Sequence, residues 1–258
     1  MQSNHIVSKE QWNAAHRRHL QREKQLTRLR AEISAERRAL PWVEVTKRYE
    51  FDGPNGKQTL ADLFGGRSQL IVKHFMLGPD WEEGCVGCSF HADHIDGANL
   101  HLGQRDVTLL AVSRAPYRKI EAFKQRMGWR FKWVSSHDSD FNYDFHVSFT
   151  PEQAARGQVY YNYDVRDFQS DEMSGLSVFY KDEDGRIFHT YSCFARGSEV
   201  LLGAYNYLDM VPKGRAENGP NHNLTDWVRH HDRYDDNGYV DTTGRYVAAE
   251  DRGNSCCH

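Results

Sequence analysis

Two cysteines one helical turn apart, Cys85 and Cys88, are the residues of this chain best suited by type and spacing to do chemistry. They follow an apolar run and a glycine-bounded loop, a pattern that predicts a helix starting at the cysteines. Unpaired backbone N–H groups and the positive end of the helix dipole favour a thiolate there, which is the nucleophilic form. We therefore expect Cys85 to attack a disulfide and Cys88 to resolve the mixed disulfide.

Charged residues near this pair have opposite effects on the stability of a thiolate. Glu82 and Glu83 disfavour a nearby thiolate, whereas His91 or His94 would favour one if protonated. Asp93 is expected to accept a proton if it points inward under the dithiol. An aspartate at this place can instead be solvated or stabilise the helix. The candidate catalytic residues are therefore Cys85, Cys88 and Asp93.

A soft-metal site is the alternative interpretation of the same pair. Cys85 and Cys88 would then be two ligands of a copper or zinc ion, because thiolates suit both metals. Structural zinc sites usually show two spaced pairs, and the sequence has no second pair of that spacing. Disulfide exchange requires no cofactor, so copper or zinc belongs to the alternative only. The residues that could complete such a site are His91, His189, Cys193 and the C-terminal Cys256, Cys257 and His258.

Composition limits the partners and the compartment. The chain has 258 residues, 33 basic against 36 acidic side chains and a net charge of −3, so charge favours neither nucleic acid nor anionic lipid. Five unevenly spaced cysteines do not form a secreted disulfide framework, and no apolar stretch is long enough to span a membrane. We expect a cytoplasmic protein that acts on a protein or small-molecule disulfide and is regenerated by an unknown reductant.

The elements that must position the dithiol can be predicted from hydrophobic pattern. Residues 70–76 and 108–112 are apolar runs typical of buried central strands, and Pro116 marks the start of a helix. Asp184-Gly185 is turn chemistry between strands at residues 177–180 and 187–191. This order predicts an α/β fold with a mixed sheet and flanking helices. Further predicted elements are short strands at residues 49–52 and 131–134 and helices at residues 60–64 and 199–208.

The regions outside this core differ in pattern. Ser8 and Gln11 form a capping box, and residues 8–39 alternate in charge as a solvated helix does. The predicted organisation is a helical arm at residues 1–40, a central domain at 41–212 and a C-terminal extension at 213–258. Residues 135–172 are expected to be an irregular insertion, and the extension is expected to pack through Trp227 and Val228. His74 is expected to be a hydrogen-bonded core histidine and Cys193 an inert buried thiol.

The sequence also resembles a known family. The stretch at residues 84–93 occurs together with Leu40-Pro41-Trp42, residues 60–67, His74-Phe75-Met76, residues 179–185 and residues 203–209. From about Ser8 to Tyr234 it resembles a bacterial thioredoxin-like family of unknown function, whose members are generally described as predicted dithiol-disulfide oxidoreductases. The resemblance implies a thioredoxin-like sheet and a redox-active dithiol.

One departure from ordinary thioredoxins bears on the site. Those proteins place a cis-proline opposite the dithiol, whereas the nearest prolines here are Pro151 and Pro212. Residues 173–177 must therefore approach the dithiol without a proline, which would leave the sulfurs more open to a soft metal. A thiol peroxidase is disfavoured, because residues 79–85 lack the hydroxyl residue that peroxiredoxins place before their cysteine. A binding module that retains an inactive dithiol is a further possibility.

Overall fold

The N-terminal part of the chain is one long helix. The protein is described here by a computed structural model that covers residues 5–167, 170–241 and 243–248. The chain divides into two units, one ending at Trp42 and the other beginning at Val43. Helix α1 (Lys9–Arg38) starts at a capping box in which Ser8 and Gln11 exchange hydrogen bonds, as predicted, and none of its residues is buried. Within the described residues, no helix is both long and apolar enough to cross a bilayer.

The second unit is built on an eight-stranded mixed sheet. The strand order is β1-β10-β9-β4-β5-β6-β2-β3, in which β5 is parallel to β4 and β6, while β9 is antiparallel to β4 and β10. Two hairpins, β7–β8 and β11–β12, lie outside this sheet. The strands are β1 (Val43–Glu44), β2 (Glu50–Gly53), β3 (Gly56–Thr59), β4 (Gln69–His74), β5 (Val107–Ser113), β6 (Trp133–Ser135), β7 (Gln158–Tyr161), β8 (Asp164–Asp167), β9 (Gly175–Lys181), β10 (Ile187–Phe194), β11 (Tyr239–Val240) and β12 (Tyr246–Val247).

Helices connect the parallel strands. The chain runs from β4 through two helices to β5, then through one helix to β6, and later adds the hairpin β9–β10 on the other side of β4. This is the thioredoxin-like α/β arrangement predicted from the sequence. The helices of this unit are α2 (Leu60–Leu63), α3 (Val86–Ala92), α4 (Ile95–Leu102), α5 (Tyr117–Arg126), α6 (Phe141–Asp144), α7 (Pro151–Ala155) and α8 (Gly203–Leu208).

Strand β4 separates two packed cores. Leu70 and Val72 are completely buried on one face, where they pack with Phe179 and Val112. The other face packs against α3, and its core contains both cysteines together with aromatic rings such as Phe75. Because side chains alternate along a strand, Lys73 points to the face opposite Val72. The apolar run thus explains why β4 lies in the middle of the sheet.

The region predicted to be an irregular insertion contains regular elements between residues 141 and 167. It contains α6, α7 and the hairpin β7–β8, whose turn at Asn162 and Tyr163 uses positive φ angles. Thr150 caps α7 with a capping box, a signal that the aromatic and polar composition of the region obscured. The helix predicted at residues 199–208 is shorter in the structure. A 3₁₀ segment (Ala195–Leu201) precedes it, and the α-helix itself is α8.

Residues 213–248 pack against the start of α3. Val228 is completely buried and lies in one apolar cluster with Val86 and Phe90. The predicted anchoring through Trp227 and Val228 is therefore confirmed. His230 is also buried, and its Nε2 lies 2.8 Å from the carbonyl oxygen of Gly84. Through these contacts the C-terminal segment reaches the loop that carries the dithiol.

Candidate functional site

The dithiol is held by the backbone at the end of β4. The N–H of Cys85 donates to the carbonyl oxygen of Met76 over 3.0 Å, and the Met76 N–H donates to Cys88 Sγ over 3.5 Å. Cys85 is the residue that precedes α3, and Cys88 lies in its first turn. Both side chains are buried, with 7% and 2% exposure. Both side chains belong to one packed core cluster.

The surroundings make the two thiols different. The hydrogen bond that Cys85 donates to Cys88, together with burial, raises the pKa of Cys85 well above its ordinary value. Burial also raises the pKa of Cys88, but the hydrogen bond from Cys85 and the positive charge of Lys73 oppose burial. With hydrogen bonds from the Met76 N–H and the Ser174 side chain, these effects lower the pKa of Cys88 to about 6. These shifts favour the thiolate form of Cys88 over that of Cys85, whereas the helix position alone favoured Cys85.

Lys73 is a site residue that the sequence analysis missed. It lies on β4 with 1% exposure, and its Nζ donates to the Ser174 hydroxyl over 3.1 Å. A buried lysine is unusual, since removing an ammonium group from water is unfavourable unless a partner compensates. The available signal was a single lysine inside the apolar run at residues 70–76. Ser174 occupies the approach predicted to lack a proline and links the lysine to the dithiol.

Asp93 lies away from the dithiol. It is the C-cap residue that follows α3, and its Oδ1 accepts hydrogen bonds from Trp129 Nε1 and His231 Nδ1, both over 2.7 Å. A cavity adjoins the two cysteines, and among the described residues that line it Asp93 is absent. The structure therefore does not bring this candidate to the sulfurs, because the helix carries it one turn further along. Its contacts fix the end of α3 against Trp129.

The other charged neighbours have structural roles. Burial and the charge of Lys73 lower the pKa of His91 to about 2, so this ring is neutral and does not stabilise a thiolate by charge. His94, the N-cap of α4, accepts the Ala204 N–H at its Nε2, which joins the start of α4 to α8. Glu83, expected to oppose a thiolate, forms ion pairs with two arginines, which offset its negative charge. These partners are Arg126 and Arg233.

A cavity of about 350 Å³ adjoins the cysteines. The walls are mainly apolar, and the dithiol, Lys73 and Ser174 form part of the lining. The 3₁₀ segment and the C-terminal segment form the opposite wall. Gly244, whose φ is +84°, accepts the Val86 N–H over 3.0 Å, and a Cβ at this glycine would lie 3.1 Å from Cys85 Sγ. The sulfurs are therefore almost completely buried, and both cysteines line this cavity.

The residues considered as metal ligands are dispersed. Across residues 5–167, 170–241 and 243–248, no three His, Cys, Asp or Glu side chains are grouped so as to hold a metal ion. His189 Nε2 contacts the Ser192 hydroxyl over 2.7 Å, and Cys193 is half-buried on β10. Of the candidates beyond the dithiol, only His91 reaches the cavity within the described part of the chain. Cys256, Cys257 and His258 lie outside the described residues.

His74 is a core histidine, as predicted. It is completely buried, and its Nε2 lies 2.8 Å from the Ser177 hydroxyl, which in turn contacts Ser192. Burial lowers the pKa of His74 to about 3, so the ring is neutral. This chain of polar groups ends at His189 and tethers β9 and β10 to β4. It satisfies buried polar groups on the sheet face away from the dithiol.

Comparison with known proteins gives one family match. A family described as a bacterial protein of unknown function (DUF899) matches residues 1–234. No curated protein matches the chain. Among solved structures, peroxidoxin BcpB from Mycobacterium tuberculosis is 12% identical, with 66% of this chain and 97% of that chain covered and a TM-score of 0.43. A mutant of PrxQ from Xylella fastidiosa is 16% identical, with 62% and 88% covered and a TM-score of 0.39.

Proposed function

This chain belongs to the bacterial family of unknown function DUF899, and we propose that it is a thiol-disulfide oxidoreductase whose redox centre is Cys85 and Cys88. One observation carries the proposal: Cys85 and Cys88 lie at the start of α3 and line one cavity with the buried Lys73, whose positive charge favours the thiolate form of Cys88. At neutral pH the pair then holds one thiolate and one thiol, which are the attacking and resolving groups of disulfide exchange. No cofactor is required.

The proposed reaction transfers two electrons from the dithiol to a disulfide. The Cys88 thiolate attacks one substrate sulfur, so that a Cys88–substrate disulfide forms and the substrate S–S bond breaks. The departing thiolate takes the proton of Cys85. The Cys85 thiolate then attacks Cys88 Sγ, which forms the Cys85–Cys88 disulfide and releases the second substrate thiolate. The protein is oxidised and the substrate is reduced to two thiols, and an external thiol reductant reverses the sequence.

Lys73 is a positioning residue in this scheme. Its ammonium group does not accept or supply a proton but stabilises negative charge on Cys88 through proximity, and Ser174 holds it there. When the disulfide forms, this charge is lost and the buried lysine loses its anionic partner. The arrangement therefore favours the reduced protein, because the buried ammonium group is better compensated beside a thiolate.

Matched serine variants test both the function and the order of attack. The background is a chain in which Cys193, Cys256 and Cys257 are serine, so that only the dithiol reacts. We expect reversible two-electron oxidation in dithiothreitol redox buffers, and its loss in both Cys85→Ser and Cys88→Ser. Alkylation by iodoacetamide at pH 7 should persist in Cys85→Ser, since the Lys73 charge remains beside Cys88, and fall sharply in Cys88→Ser.

Two results would count against the proposal. If the dithiol stays reduced at every dithiothreitol ratio, Cys85 and Cys88 are not a redox pair. If the purified protein contains one tightly bound copper or zinc ion and forms no reversible disulfide, the metal-binding interpretation is correct instead. Faster alkylation of Cys88→Ser than of Cys85→Ser would leave the function intact but reverse the order of attack.

A further inference from the structure

The dithiol is inaccessible to a folded protein substrate in this structure. Cys85 and Cys88 have 7% and 2% exposure, and the backbone of Gly244 lies against Cys85 Sγ. A protein disulfide must bring its own backbone to the attacked sulfur, and this place is already occupied by the C-terminal segment of the same chain. Val228 and His230, both completely buried, anchor that segment to the dithiol loop. Access to the sulfurs is therefore through the cavity.

The size of the cavity limits what can enter. A volume of about 350 Å³ corresponds to about a dozen water molecules and is at the lower end of small-molecule sites. A disulfide with short substituents fits such a space, whereas a peptide disulfide of several residues does not. The cavity thus selects by size before any chemistry takes place.

The chemistry of the cavity walls further limits which substrates can bind. Arg196, on the 3₁₀ segment, forms ion pairs with Glu199 and Glu217, and Arg215 forms a second ion pair with Glu199, so these charges compensate one another. Lys73 lies beside Cys88, where its charge is directed at the thiolate. The rest of the wall is mainly apolar, with polar side chains at His91, Ser198, Asn223, Thr225 and Thr243. Its apolar members include Met76, Tyr161, Met173, Leu202 and Leu224.

We propose that the substrate of this site is a small, mainly apolar disulfide that enters the cavity whole. This inference rests on the proposed function and adds the substrate class to it. Cys88 reaches the substrate sulfur inside the cavity, and the products leave as two small thiols by the same steps given above. Protein disulfides are excluded because the attacking Cys88 is only 2% exposed and the C-terminal segment covers Cys85, and large peptide disulfides are excluded by volume.

The test is a series of disulfides that differ in size and charge. The full-length reduced protein is mixed with diethyl disulfide, cystine, oxidised glutathione or insulin, and formation of the Cys85–Cys88 disulfide is followed by mass after alkylation. Each second-order rate constant is divided by the rate constant of dithiothreitol with the same probe, which removes intrinsic reactivity. We expect diethyl disulfide to exceed both cystine and oxidised glutathione by at least about tenfold, and insulin to give no detectable reaction.

Two leucine variants, one inside the cavity and one outside it, test whether the cavity wall determines which disulfides react. Leu224→Ala enlarges the cavity near Gly87 and should raise the relative rate for oxidised glutathione by about tenfold. Leu208→Ala removes the same volume from the same apolar cluster without lining the described cavity, and it should leave the ratio unchanged. Circular dichroism verifies that both variants are folded.

The outcomes separate this inference from the proposed function. Rapid reaction of wild-type protein with insulin or with oxidised glutathione overturns the substrate class, while equilibration of the dithiol with dithiothreitol still supports an oxidoreductase. A cystine rate equal to that of diethyl disulfide overturns the apolar preference. Equal effects of Leu224→Ala and Leu208→Ala would show that the cavity does not select. Failure to equilibrate with dithiothreitol overturns the proposed function itself.

Discussion

Replacing Lys73 with methionine removes a buried positive charge from the neighbourhood of Cys88 and keeps a side chain of similar length. The ammonium group donates to the Ser174 hydroxyl over 3.1 Å and lines the same cavity as Cys88, and a separation of about 6 Å is assumed between the two charges. At an effective dielectric constant of about 20, a unit charge pair at this distance interacts by about 3 kcal/mol, equivalent to about 2 pKa units. Lys73→Met should therefore raise the pKa of Cys88 from about 6 to about 8.

The assay must measure the pKa and not a single rate. At pH 7 the thiolate fraction falls about tenfold in Lys73→Met, but the more basic thiolate is about eightfold more nucleophilic, because nucleophilicity rises with a Brønsted slope of about 0.4–0.5. The two effects nearly cancel in the alkylation rate at neutral pH. The pH dependence of thiolate absorbance and of the iodoacetamide rate, from pH 4 to 10, gives the midpoint directly.

Two controls make the result specific. Lys132→Met removes a half-buried lysine that does not line the described cavity, and it should leave the midpoint unchanged within a few tenths of a unit. Lys73→Arg restores the charge and should return the midpoint most of the way toward that of wild type. An unshifted midpoint in a folded Lys73→Met variant would refute the assignment of thiolate stabilisation to Lys73.

Two further predictions concern Gly244, which lies against Cys85, and His91, which lines the cavity. Gly244→Ala should destabilise the protein by about 1–2 kcal/mol in urea unfolding, because φ is +84°, and should also slow alkylation of Cys85. Gly128→Ala has a φ of +64° and no neighbour within 4 Å, so it should match the loss of stability without the change in alkylation. The pKa of His91 is lowered to about 2 in the folded protein, so the unfolded state binds this proton first. The stabilising contribution of neutral His91 is therefore present above pH about 6.5 and lost as pH falls, so the free energy of unfolding decreases by about 1.4 kcal/mol per pH unit. Urea unfolding of wild type should show this slope relative to His91→Gln. Parallel pH profiles of the two proteins would contradict the assignment.

The local order of the site could be predicted from the sequence. The apolar run at β4, the glycine-bounded loop and the cysteine spacing are signals between neighbours in the chain, and such signals determine a strand, a turn and a helix start. The capping box at Ser8 similarly marked the start of α1. Alternation along a strand placed Lys73 on the face opposite Leu70 and Val72, but nothing local showed that this face meets the dithiol.

The properties of the sulfurs were determined only by the tertiary structure. Lys73 and Ser174, which set the charge on Cys88, are 101 residues apart in the chain and meet because β9 pairs with β4. Gly244 reaches Cys85 because the C-terminal segment packs on α3, and Asp93 leaves the site because Trp129 and His231 bind it instead. Burial and the charges of distant residues fix the pKa of a thiol, and these depend on long-range packing that hydrophobic periodicity does not encode.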